Sequence, residues 1–250
     1  MKKIVIFNWK MAPGSLKEAE RLFTQTQTYA DLKRTNAEVV VAAPFVYLLN
    51  LKTKKLKNLK LASQDVFWEN PPAGGGAYTG EISAEMLKNL GVEYVIIGHS
   101  ERRQHLGETD KMINKKVKVA LKTGLKVILC VGEDLKIRKK GKKAVEKFVK
   151  NQLQKDLKGI TKSLIVVYEP IWAISTSIGG HSITPQDAVE IIKFIKQTLK
   201  TKSYKLKANV LYGGSVNGKN IKDFIRHKEI DGVLVGGASL KIKEVKKILA

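Results

Sequence analysis

The sequence predicts an α/β protein, a single (β/α)8 barrel of eight parallel strands, with residues 1–250 as one domain. Three observations carry this expectation. Eight short apolar runs recur along the chain, most of them β-branched and continuous, as strands covered on both faces require. Helical apolar patterns lie between those runs. No composition break, linker or sequence repeat divides the 250 residues, a length that such a barrel commonly uses. A doubly wound open sheet is the alternative. It would be favoured by a G-x-G-x-x-G turn after the first strand, where this chain reads Asn8-Trp9-Lys10-Met11.

The predicted strands are 3–7, 38–42, 59–62, 94–97, 126–131, 164–168, 208–212 and 232–235. Ser15-Leu16-Lys17-Glu18 forms a capping box, followed by Leu16, Ala19, Leu22 and Phe23 on one helix face. Residues 109–122 carry Ile113, Val117, Ala120 and Leu121, with Gly124 as a C-terminal stop. Thr184-Pro185-Gln186-Asp187 starts another helix, with proline at its first position. Ala188, Ile191, Ile192, Ile195 and Leu199 mark its buried face.

Composition removes several classes of function. No apolar run approaches the ~18 residues of a membrane span. The apolar start 4–7 is interrupted by Asn8 and Lys10, too early for a signal peptide, so the cytoplasm is expected. A single cysteine, Cys130, precludes an internal disulfide framework. The net charge is +23, but of 46 basic residues only six are arginine, and no nucleic-acid recognition motif accompanies them. The lysines read as a solvated surface rather than a nucleic-acid face.

In a barrel of this kind chemistry sits at the carboxyl ends of the strands. The stretch Val95 to Arg103 places His99, Ser100, Glu101, Arg102 and Arg103 directly after a hydrophobic strand. Polar groups packed so tightly against an apolar strand end are costly unless paired or used. Asn8 and Lys10 follow the first strand, and Glu169 follows the sixth. Gly213-Gly214-Ser215 follows the seventh, and Gly236-Gly237 the eighth. Singly each has a structural explanation; closure of the barrel brings all of them to one rim. The two glycine pairs fit a phosphate, because glycine lets backbone N–H groups approach an anion closely. No G-x-x-x-x-G-K pattern is present, which argues against a nucleoside triphosphate and for a small phosphorylated metabolite, with Lys10 facing the anion. The four histidines lie apart and no cluster has metal-ligand spacing, so no metal is expected. One carboxylate, Glu169, and one imidazole, His99, beside a phosphorylated carbonyl compound suggest proton abstraction next to the carbonyl. Another phosphate-binding barrel isomerase or an aldolase is the alternative; an aldolase needs a Schiff-base lysine inside the barrel.

Six segments, in order and across the whole chain, resemble the triosephosphate isomerase family. They are F-N-W-K-M at Phe7, G-A-Y-T-G-E-I-S at Gly76, G-H-S-E-R-R at Gly98, Y-E-P-I-W-A-I at Tyr168, Y-G-G-S-V at Tyr212 and V-G-G-A-S-L at Val235. The resemblance implies a cofactor-free isomerase of glycolysis and gluconeogenesis that interconverts dihydroxyacetone phosphate and D-glyceraldehyde 3-phosphate. It implies Glu169 as general base, His99 as neutral electrophile and Lys10 as electrostatic clamp beside Asn8. Glu101 would support the network, and Ser175, Ser215, Gly236 and Gly237 would bind phosphate. Tyr212 and Ser215 would latch a lid. It also implies a homodimer through the loop 64–79, which opens at Gln64 and ends at Thr79, the residue that would support the partner's site. This chain departs from the family in two places. That loop, with Asn70-Pro71-Pro72-Ala73-Gly74-Gly75-Gly76, looks several residues longer. The lid 170–182 has Ser175-Thr176-Ser177 where Gly-Thr-Gly is usual, and its flexible tip is expected to have shifted toward Gly179 and Gly180.

Overall fold

The structure, a computed structural model, describes residues 2–31, 36–54, 58–71, 76–174, 183–201, 204 and 206–250. The eight strands are β1 (Lys3–Asn8), β2 (Ala37–Ala43), β3 (Leu59–Ser63), β4 (Tyr94–Ile97), β5 (Lys126–Val131), β6 (Leu164–Tyr168), β7 (Ala208–Tyr212) and β8 (Gly232–Val235). They close into one barrel in sequential order, each parallel to its neighbours. This is the (β/α)8 barrel that the sequence predicts. Three strands run longer than their apolar runs: Asn8 pairs with Ala42, Lys3 with Ala37, and Ala43 with Ser63. Apolarity marks burial, whereas the ladder continues wherever a backbone partner is in reach.

Period-two alternation sorts each strand into two cores. Ile4, Ile6, Val40, Ala42, Ile96, Ile128, Cys130, Val167 and Leu211 fill the barrel interior. Val5, Phe7, Val39, Val41, Val95, Ile97 and Val166 face outward into the layer under the helices. Those helices are α1 (Leu16–Asp31), α2 (Phe45–Lys52), α3 (Ala84–Leu90), α4 (Ser100–His105), α5 (Asp110–Thr123), α6 (Leu135–Arg138), α7 (Lys142–Asp156), α8 (Pro185–Lys200), α9 (Ile221–Ile225) and α10 (Ile242–Leu249). Short 3₁₀ turns at Ile171–Ala173 and Gly237–Leu240 follow β6 and β8.

The local signals work as their chemistry requires. The Ser15 hydroxyl accepts from the Glu18 N–H at 3.3 Å. Thr109 caps α5 through the Met112 N–H, and Thr184 caps α8 through the Asp187 N–H. Gly124 ends α5 at φ 85°, a left-handed conformation that glycine enters without strain.

Arg103 ties this frame together beneath the rim. Its Nε donates to the Gly98 carbonyl at 2.8 Å, Nη1 to Asp110 at 2.8 Å, and Nη2 to Asp156 at 2.6 Å and the Cys130 carbonyl at 3.2 Å. One guanidinium thus links the ends of β4 and β5 to α5 and α7. Asp156 is fully buried, and burial pushes its carboxyl up to about 7 against the opposing charge of Arg103. Removing one member of such a pair leaves the other charge buried and unanswered.

The barrel closes between β8 and β1, where Ile4 pairs with Gly232. A Cβ on Gly232 would lie 1.9 Å from the Ile4 carbonyl oxygen, so the seam has room only for glycine. Gly232→Ala should therefore lower the free energy of unfolding by about 1–3 kcal/mol or more, the scale of overpacking. Urea denaturation measures it, and a parental midpoint would show that the seam relaxes freely.

Candidate active site

Closure of the barrel gathers the predicted residues at the carboxyl ends of the strands, around a cavity of about 510 Å³. Lys10, His99, Glu169, Ser215, Gly236 and Gly237 all line it. Asn8 and Glu101 border an adjoining cavity of about 920 Å³ that shares Lys10 and His99.

Glu169 immediately follows β6 and is 3% exposed. Its N–H donates to the Val131 carbonyl at 2.8 Å, and a Cβ on Gly132 would meet the Glu169 carbonyl oxygen at 1.8 Å. Glycine at 132 is what lets the end of β5 come that close. The Glu169 carboxylate is held by two donors: Oε2 accepts the Ser100 N–H at 3.0 Å, and Oε1 lies 3.0 Å from His99 Nε2. Burial pushes the Glu169 pKa up, but the His99 charge and the hydrogen bonds from His99 and Ser100 outweigh it. The carboxyl is held below its ordinary value.

His99 sits at the N-cap of α4, and its Nδ1 accepts the Glu101 N–H at 3.3 Å. An Nδ1 that accepts carries no proton, so the proton of the neutral ring is on Nε2, facing Glu169. Burial lowers the imidazole pKa. Glu169 and, less strongly, Glu101 raise it, Lys10 opposes them, and the net direction is upward.

Lys10 has φ 55°, a left-handed backbone conformation that a non-glycine residue adopts only when its surroundings impose it. Its N–H donates to Asn8 Oδ1 at 3.0 Å. Gln64 Nε2 donates to the Lys10 carbonyl and the Ala42 carbonyl, both at 2.9 Å, and reaches Asn8 Oδ1 at 3.3 Å. The ammonium meets Glu101 Oε1 at 2.5 Å. Its stem runs close to Gly236, where an added Cβ would lie 3.2 Å from Lys10 Cε. The cation is thereby held between the carboxylate network and the glycine pair after β8.

On the far side of the cavity, the Ser215 N–H donates to the Ala173 carbonyl at 3.1 Å, joining the loop after β7 to the turn after β6. Tyr212 is buried and stacked on Phe224, with ring centroids 4.2 Å apart. Ser175, Gly179, Gly180 and the rest of 175–182 lie outside the described residues, as does the expected shift of the lid tip. Cys130 is buried in the barrel interior; burial, then the charge of Glu169, push its thiol pKa well up.

Sequence reasoning passed over three contributors. Gln64 follows β3, Glu133 follows β5, and Arg138 ends α6. The reasoning that picks out strand ends, extended to β3 and β5, points to the first two. Glu133 is fully buried; its Oε1 accepts from Trp172 Nε1 at 2.8 Å and from the Tyr168 hydroxyl at 3.1 Å. Nothing in the local pattern singles out Arg138. No group of three or more metal-ligating side chains gathers among the described residues.

A model of the triosephosphate isomerase family matches residues 3–250 of this chain. The chain is 46% identical to the triosephosphate isomerase of Thermoanaerobacter pseudethanolicus, over 98% of both chains. It is 45% identical to that of Caldanaerobacter subterraneus subsp. tengcongensis, also over 98% of both. The enzyme of Dictyoglomus turgidum is 43% identical, over 96% of this chain and 95% of its own.

The pairing of Glu169 with His99 has a measurable consequence. Replacing Glu169 with glutamine removes the larger of the two negative charges that raise the imidazole pKa and leaves burial and Lys10, which lower it, against Glu101 alone. In Glu169→Gln, His99 should titrate at lower pH than in the parent, as followed by NMR of the imidazole resonances. An unmoved midpoint would refute the electrostatic coupling.

Proposed function

The chain belongs to the triosephosphate isomerase family, and we propose that it divides that family's reaction, between dihydroxyacetone phosphate and D-glyceraldehyde 3-phosphate, among Glu169, His99 and Lys10. The observation that carries the assignment is the Glu169 carboxylate, buried, held below its ordinary pKa and facing the cavity beside His99 Nε2 and Lys10. A buried carboxylate kept ionised is a base with no solvent shell to shed.

The phosphate lies against Ser215, Gly236 and Gly237, where backbone can approach it closely. Ser175, outside the described residues, remains part of this assignment. The carbonyl oxygen then falls between Lys10 and His99. Glu169 takes the proton from the carbon next to the carbonyl. His99, through its Nε2 proton, and Lys10 stabilise the enediolate oxygens as charge develops. The protonated Glu169 returns the proton to the neighbouring carbon, and the aldose and ketose interconvert.

As the site stands, base and donor are bonded to each other. Substrate separates them: the Glu169 carboxylate must leave His99 and the Ser100 N–H to reach a C–H. That departure removes the largest influence raising the His99 pKa and frees its Nε2 proton for the substrate oxygen. Burial, Lys10 and the N–H on Nδ1 then favour the neutral ring, against Glu101 alone. Glu101, paired with Lys10 and adjoining His99 Nδ1 at 3.7 Å, keeps both aimed inward.

We also propose a homodimer, acting in the cytoplasm, with residues 1–250 as one domain. No helix among the described residues is long and apolar enough to cross a membrane. The 920 Å³ cavity beside Lys10 and Glu101 is walled by Met11 and Leu106, which are 99% and 62% exposed. Apolar side chains this open beside a functional cavity mark an interaction surface. The loop 64–79 is the complementary element: Tyr78 packs on Phe67 at 4.6 Å, its hydroxyl donates to Glu69, and Thr79 is exposed and so presented outward. A second copy's loop in this cavity would place its Thr79 beside Lys10 and His99. Residues 72–75 of the loop lie outside the described residues.

Glu169→Ala should lower kcat by at least about 10²–10⁴-fold, the usual contribution of a general base, while the fold persists. A coupled assay with glyceraldehyde 3-phosphate reads it, and near-parental turnover would exclude Glu169 as the base. Light scattering of the active protein should give twice the chain mass. A fully active monomer would exclude the shared site.

A further inference from the structure

Building on that reading, we propose that Arg138 is a positioning residue for Glu169, bracing the turn that determines where the base stands. The base is tethered at its own N–H by the Val131 carbonyl and is followed, one residue later, by the 3₁₀ turn Ile171–Ala173. The Ile171 N–H donates to the Glu133 carbonyl at 3.0 Å, and Trp172 Nε1 donates to Glu133 Oε1 at 2.8 Å. The Arg138 guanidinium lies over the Trp172 ring, 5.1 Å from its centroid. The same guanidinium donates through Nη2 to Asp187 Oδ2 at 3.1 Å. Asp187 stands in the first turn of α8. One side chain therefore joins α6, the turn after the base and the start of α8.

The chemistry requires arginine. A planar guanidinium can cover an indole face while an N–H in its plane meets a carboxylate; a lysine ammonium is a point charge and cannot do both. The Arg138 side chain is 25% exposed, so it is screened less than a fully solvated pair. Burial pushes Glu133 up in pKa; the hydrogen bonds from Trp172 and Tyr168, and then the charge of Arg138, oppose it. The balance still leaves Glu133 above its ordinary value, so Arg138 offsets only part of the effect of burial.

A brace of this kind has a kinetic signature different from that of a surface ion pair. Glu169 acts on carbon and not on phosphate, so its displacement lowers kcat and leaves KM in place. A misplacement of ~1 Å can cost about 10²-fold in rate. A purely structural Arg138 would change the melting temperature and leave kcat alone.

The test is steady-state kinetics of the full chain carrying Arg138→Met, which keeps the stem, and Arg138→Lys, which keeps the charge. Trp172→Phe and the Arg138→Met/Trp172→Phe double variant complete a cycle. Arg138→Met should lower kcat roughly tenfold at a KM within about twofold of the parent, with Arg138→Lys recovering only part. In the Trp172→Phe background the same substitution should cost much less, because the brace has lost its hold. A parental kcat, a KM that rises as much as kcat falls, or full additivity with Trp172→Phe would overturn the proposal. If Arg138→Met does not fold, Arg138→Lys decides alone: lowered kcat at unchanged KM supports the brace, and parental kcat refutes it. Glu169→Gln is measured alongside. If it keeps turnover, the assignment of the base has failed; if it is inactive while Arg138→Met is normal, only the brace has failed.

Discussion

The contact between the Glu169 carboxylate and His99 Nε2, 3.0 Å apart and both nearly excluded from solvent, is what the rest of the site is arranged to sustain. A lone carboxylate in such a place would neutralise itself by taking up a proton. Here the imidazole and the Ser100 N–H keep it ionised. Each partner in turn depends on a neighbour: His99 is oriented by the Glu101 N–H on Nδ1, and Glu101 is held by Lys10. Loss of any one relaxes the next, so the site acts as a unit and its substitutions will not add.

That network exists only because the scaffold accepts unusual backbone. Lys10 stands at φ 55° because Asn8 and Gln64, from two different strand ends, satisfy its N–H and its carbonyl. Gly98 at φ 72° turns the chain from β4 into His99, with Arg103 gripping its carbonyl. Strain at the rim is held by side chains whose own positions are set by packed strands and helices below it. This is how a rigid barrel carries a precise site on short connecting segments.

The charge of +23 belongs to the surface rather than to the chemistry. Pairs such as Lys142–Glu190, in which the lysine is half exposed and the glutamate nearly so, contribute little to stability. For a phosphorylated, anionic substrate the excess of lysine has one direct physical effect. It raises the local substrate concentration at low ionic strength and loses that effect as salt screens it.

The sequence by itself determined the eight-stranded architecture, because burial on both faces of a parallel strand leaves continuous β-branched runs that composition makes visible. It also marked the strand ends that line the two adjoining cavities: Asn8 and Lys10, His99 and Glu101, Glu169, Ser215, Gly236 and Gly237 stand next to apolar runs, where polar groups and glycine pairs are conspicuous. Helix starts at Ser15, Thr109 and Thr184 were legible for the same reason, since a cap acts within its own turn. Pairings were not legible. The hydrogen bonds of Gln64 to Lys10 and Ala42, of Trp172 to Glu133, and of Arg138 to Asp187 join residues far apart in the chain. Only the register of the closed barrel brings them within 3.1 Å of one another. Local periodicity records which face a side chain takes. Which partner it meets, and so the protonation of Glu169 and His99, depends on distances that exist only once β1 and β8 have closed.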